Sequence, residues 1–226
     1  LMSSRDVDGS IQWVREQVKA GVEVSTVVEK GKSAFVGPEL YRKTLGIIGL
    51  GAIGSLVANM AIALGMDVYG YYPYLSVNAA LRLDRHVHVV QDIRELYKRA
   101  DYITVHIHYT PQTKQMIDEK AIAAMKRGVR FINLARGEIV DDEAMIAALD
   151  SGWVAAYMTD FPNNALVQTP HVVAMSHLGA STPESEQNCA AMAVDELKDY
   201  LENGNIHNSV NLPEVVMERS GLMRLC

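Results

Sequence analysis

The sequence predicts an α/β fold, a doubly wound parallel sheet with helices on both faces, and three observations carry the prediction. Short apolar runs of strand type alternate with helix-patterned stretches along most of the chain, a pace that suits parallel strands joined by helical crossovers. The run at 44–48 leads into Gly49, Gly51 and Gly54 and then into an apolar helix pattern, the layout of a βαβ unit. The segments after three later runs are polar, as expected where such a sheet presents the edge that meets ligands. No internal repeat or low-complexity segment interrupts the alternation.

In chain order, residues 10–32 read as one helix, with Trp13, Val14 and Val18 and then Val24, Val27 and Val28 near helical spacing. A polar connection leads to the strand at 44–48, a helix at 52–64 and a second strand at 67–72, closed by Pro73. A short helix is expected at 76–83 and a third strand at 87–90. Residues 92–100 are amphipathic and open on an acid, which suits a helix N-terminus. A fourth strand at 101–106 and a turn at 111–113 precede a helix at 118–125, with Lys126 and Arg127 in its last turn and Gly128 as its stop. Strands are expected at 130–134, 154–159 and 172–175, with a helix at 141–149 ended by Gly152. Thr182 caps a long helix to Asn203 with Pro183 at its first position, and 208–213 reads as extended.

The glycines between strand and helix carry the first functional reading. In G-x-G-x-x-G spacing Gly49 allows the tight turn, Gly51 lets backbone approach a pyrophosphate, and Gly54 lets helix and strand pack closely. The helix start adds unpaired N–H groups and a partial positive charge, so a dinucleotide is the expected ligand. An acid that holds the ribose 2′-OH is expected at the end of the second strand, but that place is Tyr72. No Arg adjoins it to suggest a 2′-phosphate pocket, since Arg82 and Arg85 lie well downstream. Tyr72 has two readings: a ring stacked on the adenine, or a cover for the sheet end.

Composition excludes other classes. With 226 residues, 49% hydrophobic and 21% charged, the chain holds one large domain or one domain plus part of a second. A net charge of −6 without a basic block gives no electrostatic support for nucleic-acid or anionic-membrane partners. No apolar run reaches the roughly 20 residues that span a bilayer. Two cysteines, Cys189 and Cys226, do not make a disulfide framework, and the cytosol is the default address. His86, His88, His106 and His108 alternate in strand-like patterns without a converging carboxylate or thiol, so no metal site is expected.

The polar segments after three strands hold Arg136, Asp160 and His177. An Arg can hold a carboxylate through two parallel hydrogen bonds and polarise the adjoining carbonyl. A His can exchange the hydroxyl proton near neutral pH. Together beside a nicotinamide they suit hydride transfer between a 2-hydroxy acid and its 2-keto acid.

The chain resembles the D-2-hydroxyacid dehydrogenase family, and within it the branch that oxidises 3-phospho-D-glycerate in serine biosynthesis. The likeness is carried by TLGIIGLGAIG (44–54), residues 101–106 with Thr110, FINLARGEIVD (131–141), residues 159–162, HLGASTP (177–183) and the tail YLENGNIHNSVNLP (200–213). It implies a Rossmann-type NAD-binding domain with NAD as cofactor and a small 2-hydroxy acid as substrate. Arg136 and His177 are implied as the catalytic pair. Gly49, Gly51, Ala52, Ile53, Gly54, Tyr72, His106, Leu134, Ala135, Arg136, Asp160, His177, Gly179 and Ala180 are implied at the cofactor, with Asp160 facing the nicotinamide carboxamide. A homodimer paired through this domain is implied as well.

Where the family has a glutamate four or five residues after that Asp, orienting the His, this chain has Asn164 and Ala165. No carboxylate is then expected on His177 from the sequence nearby, and Asn164→Glu or Ala165→Glu is expected to raise activity. The resemblance also divides the chain into an NAD-binding domain with a leading helix (1–182), a return helix and tail of a substrate domain (183–213), and a linker or first strand of a further domain (214–226, with 223–226 strand-like). On that reading the chain is a nucleotide-binding core whose substrate domain is absent before Leu1. Two functions follow: an NAD-dependent dehydrogenase, or a dinucleotide-binding module with impaired catalysis and a sensing or assembly role.

Overall fold

Strands buried on both faces need apolar residues at nearly every position, and this chain supplies them: all four residues of Tyr102–Val105 are buried. A computed structural model describes residues 2–73, 80–209 and 211–217 and divides the chain into two compact units, Leu1–His177 and Leu178–Cys226. In the first, the described strands are Thr44–Ile48 (β1), Asp67–Tyr71 (β2), His88–Val90 (β3), Tyr102–Val105 (β4), Val129–Asn133 (β5), Val154–Thr159 (β6) and Val172–Ala174 (β7). They form one sheet in the order β3-β2-β1-β4-β5-β6-β7, and every pairing is parallel. The expected doubly wound sheet is therefore present, and its order reverses between β1 and β4, where a ligand crevice opens.

Helices cover both faces. Adjacent residues of β1 point opposite ways: Leu45 and Ile47 pack with Val68 and with Ala58 and Ala61 of the helix Ala52–Ala63. Ile48 joins the larger cluster, where Ile103, Val105, Phe131 and Tyr157 meet Leu96, Ile122, Met145 and Leu149. Those four lie on or beside the helices Ile93–Arg99, Glu119–Ala123 and Asp142–Asp150. Each of these helices begins on an aspartate whose side chain accepts a backbone N–H: Asp92 from Arg94 at 2.9 Å, Asp118 from Ala121 at 2.8 Å and Asp141 from Ala144 at 3.2 Å. Such caps satisfy an orphan donor and stabilise a helix by about 1 kcal/mol.

The leading segment departs from expectation. The helix spans Val7–Lys19, capped by Asp6, and ends before Gly21, whose φ of 75° no helix interior accepts. Residues 22–35 then fold as 3₁₀ turns with a single short helical turn at Val28–Gly31. The valines at 24, 27 and 28 thus mimic a helical stripe across a glycine break. Residues 76–79 of the expected helix at 76–83 lie outside the described residues, and Ala80 and Leu81 are helical; the expected strand at 223–226 also lies outside them.

The second unit contains the helix Pro183–Asn203, capped by the Thr182 hydroxyl on Ser185 N–H at 3.0 Å and ended by Gly204 at φ 68°. Ile206 and Val215 form an antiparallel bridge. Among the described residues no helix is long and apolar enough to cross a membrane.

Candidate active site

Register brings the strand ends into one row. Val90 lies opposite Tyr71, Tyr71 opposite Ile48, Ile48 opposite Val105, Val105 opposite Asn133, Asn133 opposite Thr159, and Thr159 opposite Ala174. The residues just past that row are Gln91, Tyr72, Gly49, His106, Leu134, Asp160 and Met175. Five of these seven were marked by the sequence.

At the first of these turns the glycines are sterically required. Gly49 has φ 101°, and a Cβ there would lie 2.3 Å from the His106 carbonyl oxygen; one at Gly54 would lie 1.8 Å from the Gly49 carbonyl oxygen. The two loops on either side of the switch point are therefore in backbone contact. Gly51 differs, because a Cβ there meets nothing within 4 Å. No side chain caps the helix that it opens, so the first amides of that helix are left for another acceptor beside exposed Ala52 and Ile53. We expect Gly51→Ala to leave the melting temperature within about 2 °C and to weaken NAD binding about tenfold or more, as read by calorimetry.

His106 lines the other side of the crevice. Its Nε2 lies 3.0 Å from the Thr104 hydroxyl, and burial pushes its pKa below the ordinary histidine value, which keeps the ring neutral at neutral pH. Tyr72 is half-buried and packs onto the cluster beneath the helix Ala52–Ala63.

The loop after β5 is held from beneath by Asn133, a fully buried residue that sequence reasoning passed over. Its Nδ2 donates to the Arg136 carbonyl at 2.9 Å, and its Oδ1 accepts the Ala135 N–H at 3.2 Å. An amide fits there because one side chain must both donate and accept. Arg136 is thereby fixed at the mouth. Its guanidinium donates to the Ala135 carbonyl at 2.6 Å and lies 5.7 Å from the centre of the Phe161 ring. Among the described residues it has no carboxylate partner, so its charge is available to a ligand. Leu134 is exposed and Ala135 half-buried beside it.

His177 faces Asp160. Its Nδ1 lies 2.7 Å from Asp160 Oδ2, with the imidazole 52% exposed and the acid 8% exposed. The expectation that no carboxylate serves His177 is therefore corrected: Asp160, at the end of β6, supplies one. Phe161 was likewise overlooked, and its ring stands 4.8 Å from the imidazole while also carrying the Arg136 contact. One aromatic ring thus links the guanidinium and the imidazole. Asn164 and Ala165 open the five-residue helix Asn164–Gln168, which the sequence did not reveal, and both are exposed. Gly179 and Ala180 belong to the second unit, where both are exposed.

The residues present fit a dinucleotide with a nicotinamide end. The uncapped helix start and the open space at Gly51 suit a pyrophosphate. Asp160 Oδ1 is buried and without a hydrogen-bond partner, an arrangement that costs about 1–3 kcal/mol until a donor arrives, and a carboxamide N–H is such a donor. A recess beside the 137–143 turn, lined by Glu138, Asp141, Asp142 and Glu143, repels phosphates. Among the described residues no group of three His, Cys, Asp or Glu can hold a metal ion.

Comparison with known proteins agrees with this geometry. The family described as D-isomer specific 2-hydroxyacid dehydrogenase, NAD binding domain, matches residues 1–179. The chain is 37% identical over 202 residues to a D-3-phosphoglycerate dehydrogenase of Methanocaldococcus jannaschii, covering 87% of this chain and 38% of that protein. It is 39% identical over 196 residues to the D-3-phosphoglycerate dehydrogenase of Bacillus subtilis, covering 84% and 37% respectively. The chain thus spans little more than a third of the length of these relatives. Among solved structures, the NAD-complexed D-isomer specific 2-hydroxyacid dehydrogenase of Lactobacillus delbrueckii ssp. bulgaricus matches with a TM-score of 0.69 at 28% identity, covering 79% of this chain and 59% of that one. A parallel sheet that reverses order at a glycine turn, with Arg, Asp and His at its strand ends, therefore places this chain in the D-isomer specific 2-hydroxyacid dehydrogenase family as its NAD-binding domain.

Proposed function

We propose that the chain is the nucleotide-binding core of an NAD-dependent dehydrogenase that oxidises a D-2-hydroxy acid, 3-phospho-D-glycerate being the substrate favoured by the named relatives. The observation that carries the reading is the convergence of Arg136 and His177 on one ring, Phe161, with His177 backed by Asp160. An ionised carboxylate only accepts hydrogen bonds. The proton of a neutral His177 therefore sits on Nδ1, and the Nε2 lone pair is left to take the substrate's hydroxyl proton. Arg136, without an acidic partner, holds the substrate carboxylate through parallel N–H bonds. Bound NAD supplies the hydride acceptor. With NAD bound to take the hydride, His177 would take the hydroxyl proton as the alcohol becomes a ketone, and would later return that proton to water. In the reverse direction the imidazolium donates to the keto oxygen.

Cytoplasmic location and a homodimer belong to the same proposal. A second reading, a binding module without turnover, draws on Tyr72 in the place of the ribose-binding acid. The test is steady-state turnover by the full-length protein with 3-phosphoglycerate and NAD. Reduction of NAD at rates of order 1 s⁻¹ or more supports the enzyme; cofactor binding without turnover supports the module. Titration with both dinucleotides checks the ribose pocket. NAD is expected to bind about tenfold tighter than NADP, because no Arg or Lys stands next to Tyr72 in the sequence, where an acid or a cation would select the ribose.

A further inference from the structure

We propose that Asp160 orients His177, the task for which the family resemblance implies a glutamate four or five residues later. It acts as a positioning residue that locks His177 with its proton on Nδ1 and its Nε2 turned to the substrate. The proposal deepens the dehydrogenase reading and rests on it. Its basis is placement. β6 and β7 are neighbours, with Thr159 opposite Ala174. The next residue on β6 is Asp160, and the strand-end loop three residues past Ala174 reaches His177, closing the 2.7 Å contact. Burial of the acid beside an exposed imidazole edge strengthens that hydrogen bond by excluding water. Phe161 supports the ring from another side.

The place of the missing glutamate is built otherwise. Asn163 caps its own helix, accepting the Leu166 N–H at 2.9 Å, and donates to Asp142 at 2.6 Å. Asn164 and Ala165 behind it are exposed. Those positions do not supply the hydrogen bond to His177, so Asn164→Glu is now expected to leave kcat near the wild-type value, against the reading from sequence. Among the described residues the charged groups that bear on the imidazole are Asp160 directly and Arg136 across Phe161.

Asp160 has two oxygens, and Oδ2 alone is engaged. The same carboxylate can therefore hold the imidazole through Oδ2 and meet the nicotinamide carboxamide through Oδ1. One acid would then serve both partners.

The experiment uses the full-length protein with ¹⁵N-labelled histidine. The His177 resonances are assigned by their loss in His177→Gln, and the tautomer is read by long-range ¹H–¹⁵N correlation. Wild type is expected to show the Nδ1–H tautomer, and Asp160→Ala the mixture dominated by Nε2–H that a free imidazole prefers. In the same enzyme Asp160→Ala should lower kcat about 100-fold with the substrate KM within a few-fold. Asp160→Asn keeps an acceptor but removes the charge that favours an imidazolium. It should therefore lower kcat for keto-acid reduction. Unchanged tautomers in Asp160→Ala within an active enzyme overturn the positioning role alone. A locked tautomer in a wild-type protein without turnover overturns the dehydrogenase reading and this role with it. A melting curve of Asp160→Asn within a few degrees of wild type shows that lost rate is not lost fold.

Discussion

Replacement of His177 by glutamine is expected to lower kcat about 10²- to 10⁴-fold while leaving NADH affinity within about threefold. Glutamine keeps a polar head of similar reach and loses the exchangeable proton. The imidazole is 52% exposed at the mouth of the site, so its removal opens no core cavity, and the fold should persist. The split between rate and affinity is the informative part. A residue that only lined the cofactor crevice would weaken NADH binding and leave the rate of bound enzyme close to wild type. Stopped-flow reduction of a 2-keto acid, with NADH binding followed by fluorescence, separates the two. Loss of affinity with kcat retained would remove His177 from the proton path.

Gly54→Val is expected to destabilise the protein by about 3 kcal/mol or more, a fall in melting temperature of roughly 10 °C. Even a single Cβ at this position would sit 1.8 Å from the Gly49 carbonyl oxygen. That neighbour is backbone, fixed because the Gly49 N–H donates to the Tyr71 carbonyl at 2.8 Å. The helix Ala52–Ala63 must therefore retreat from β1. In doing so it loosens the packing of Ala58 and Ala61, both buried in the smaller cluster. The same retreat moves the amides that meet the pyrophosphate, so NAD should fail to restore the lost stability. Gly51→Ala should behave in the opposite way, because Gly54 is needed by the fold and Gly51 is proposed to serve the ligand. Differential scanning fluorimetry with and without NAD distinguishes them. A Gly54→Val protein with wild-type melting and wild-type NAD stabilisation would contradict the packing argument.

How far the sequence disclosed all this depends on range. β1 was legible to the residue because a five-residue apolar run ends in glycines that no other element explains. The long helix Pro183–Asn203 was legible because Thr182, Pro183 and Gly204 punctuate it. The leading helix was overextended because valines keep helical spacing through Gly21, and a φ of 75° is invisible to periodicity. The helix Asn164–Gln168 was missed because five residues make too few turns to show a stripe; the Asn163 cap was its one local signal. Arg136, Asp160 and His177 stood out as polar residues directly after strands. The hydrogen bond between the last two was not legible. It joins residues 17 apart through the adjacency of β6 and β7, and strand order is a property of the whole sheet. Phe161 was hidden for a related reason, since an apolar residue beside a polar one gives no sign of which side chains will share its ring.

The position of NAD bound to the full-length protein, seen in a crystal grown with the cofactor and a 2-hydroxy acid, bears most directly on this account. The account predicts the pyrophosphate on the amides that follow Gly51, the carboxamide N–H on Asp160 Oδ1, and the nicotinamide ring beside His177 Nε2 and the Arg136 guanidinium. An empty crevice at Gly51 under saturating NAD, or a nicotinamide ring remote from both side chains, would contradict it.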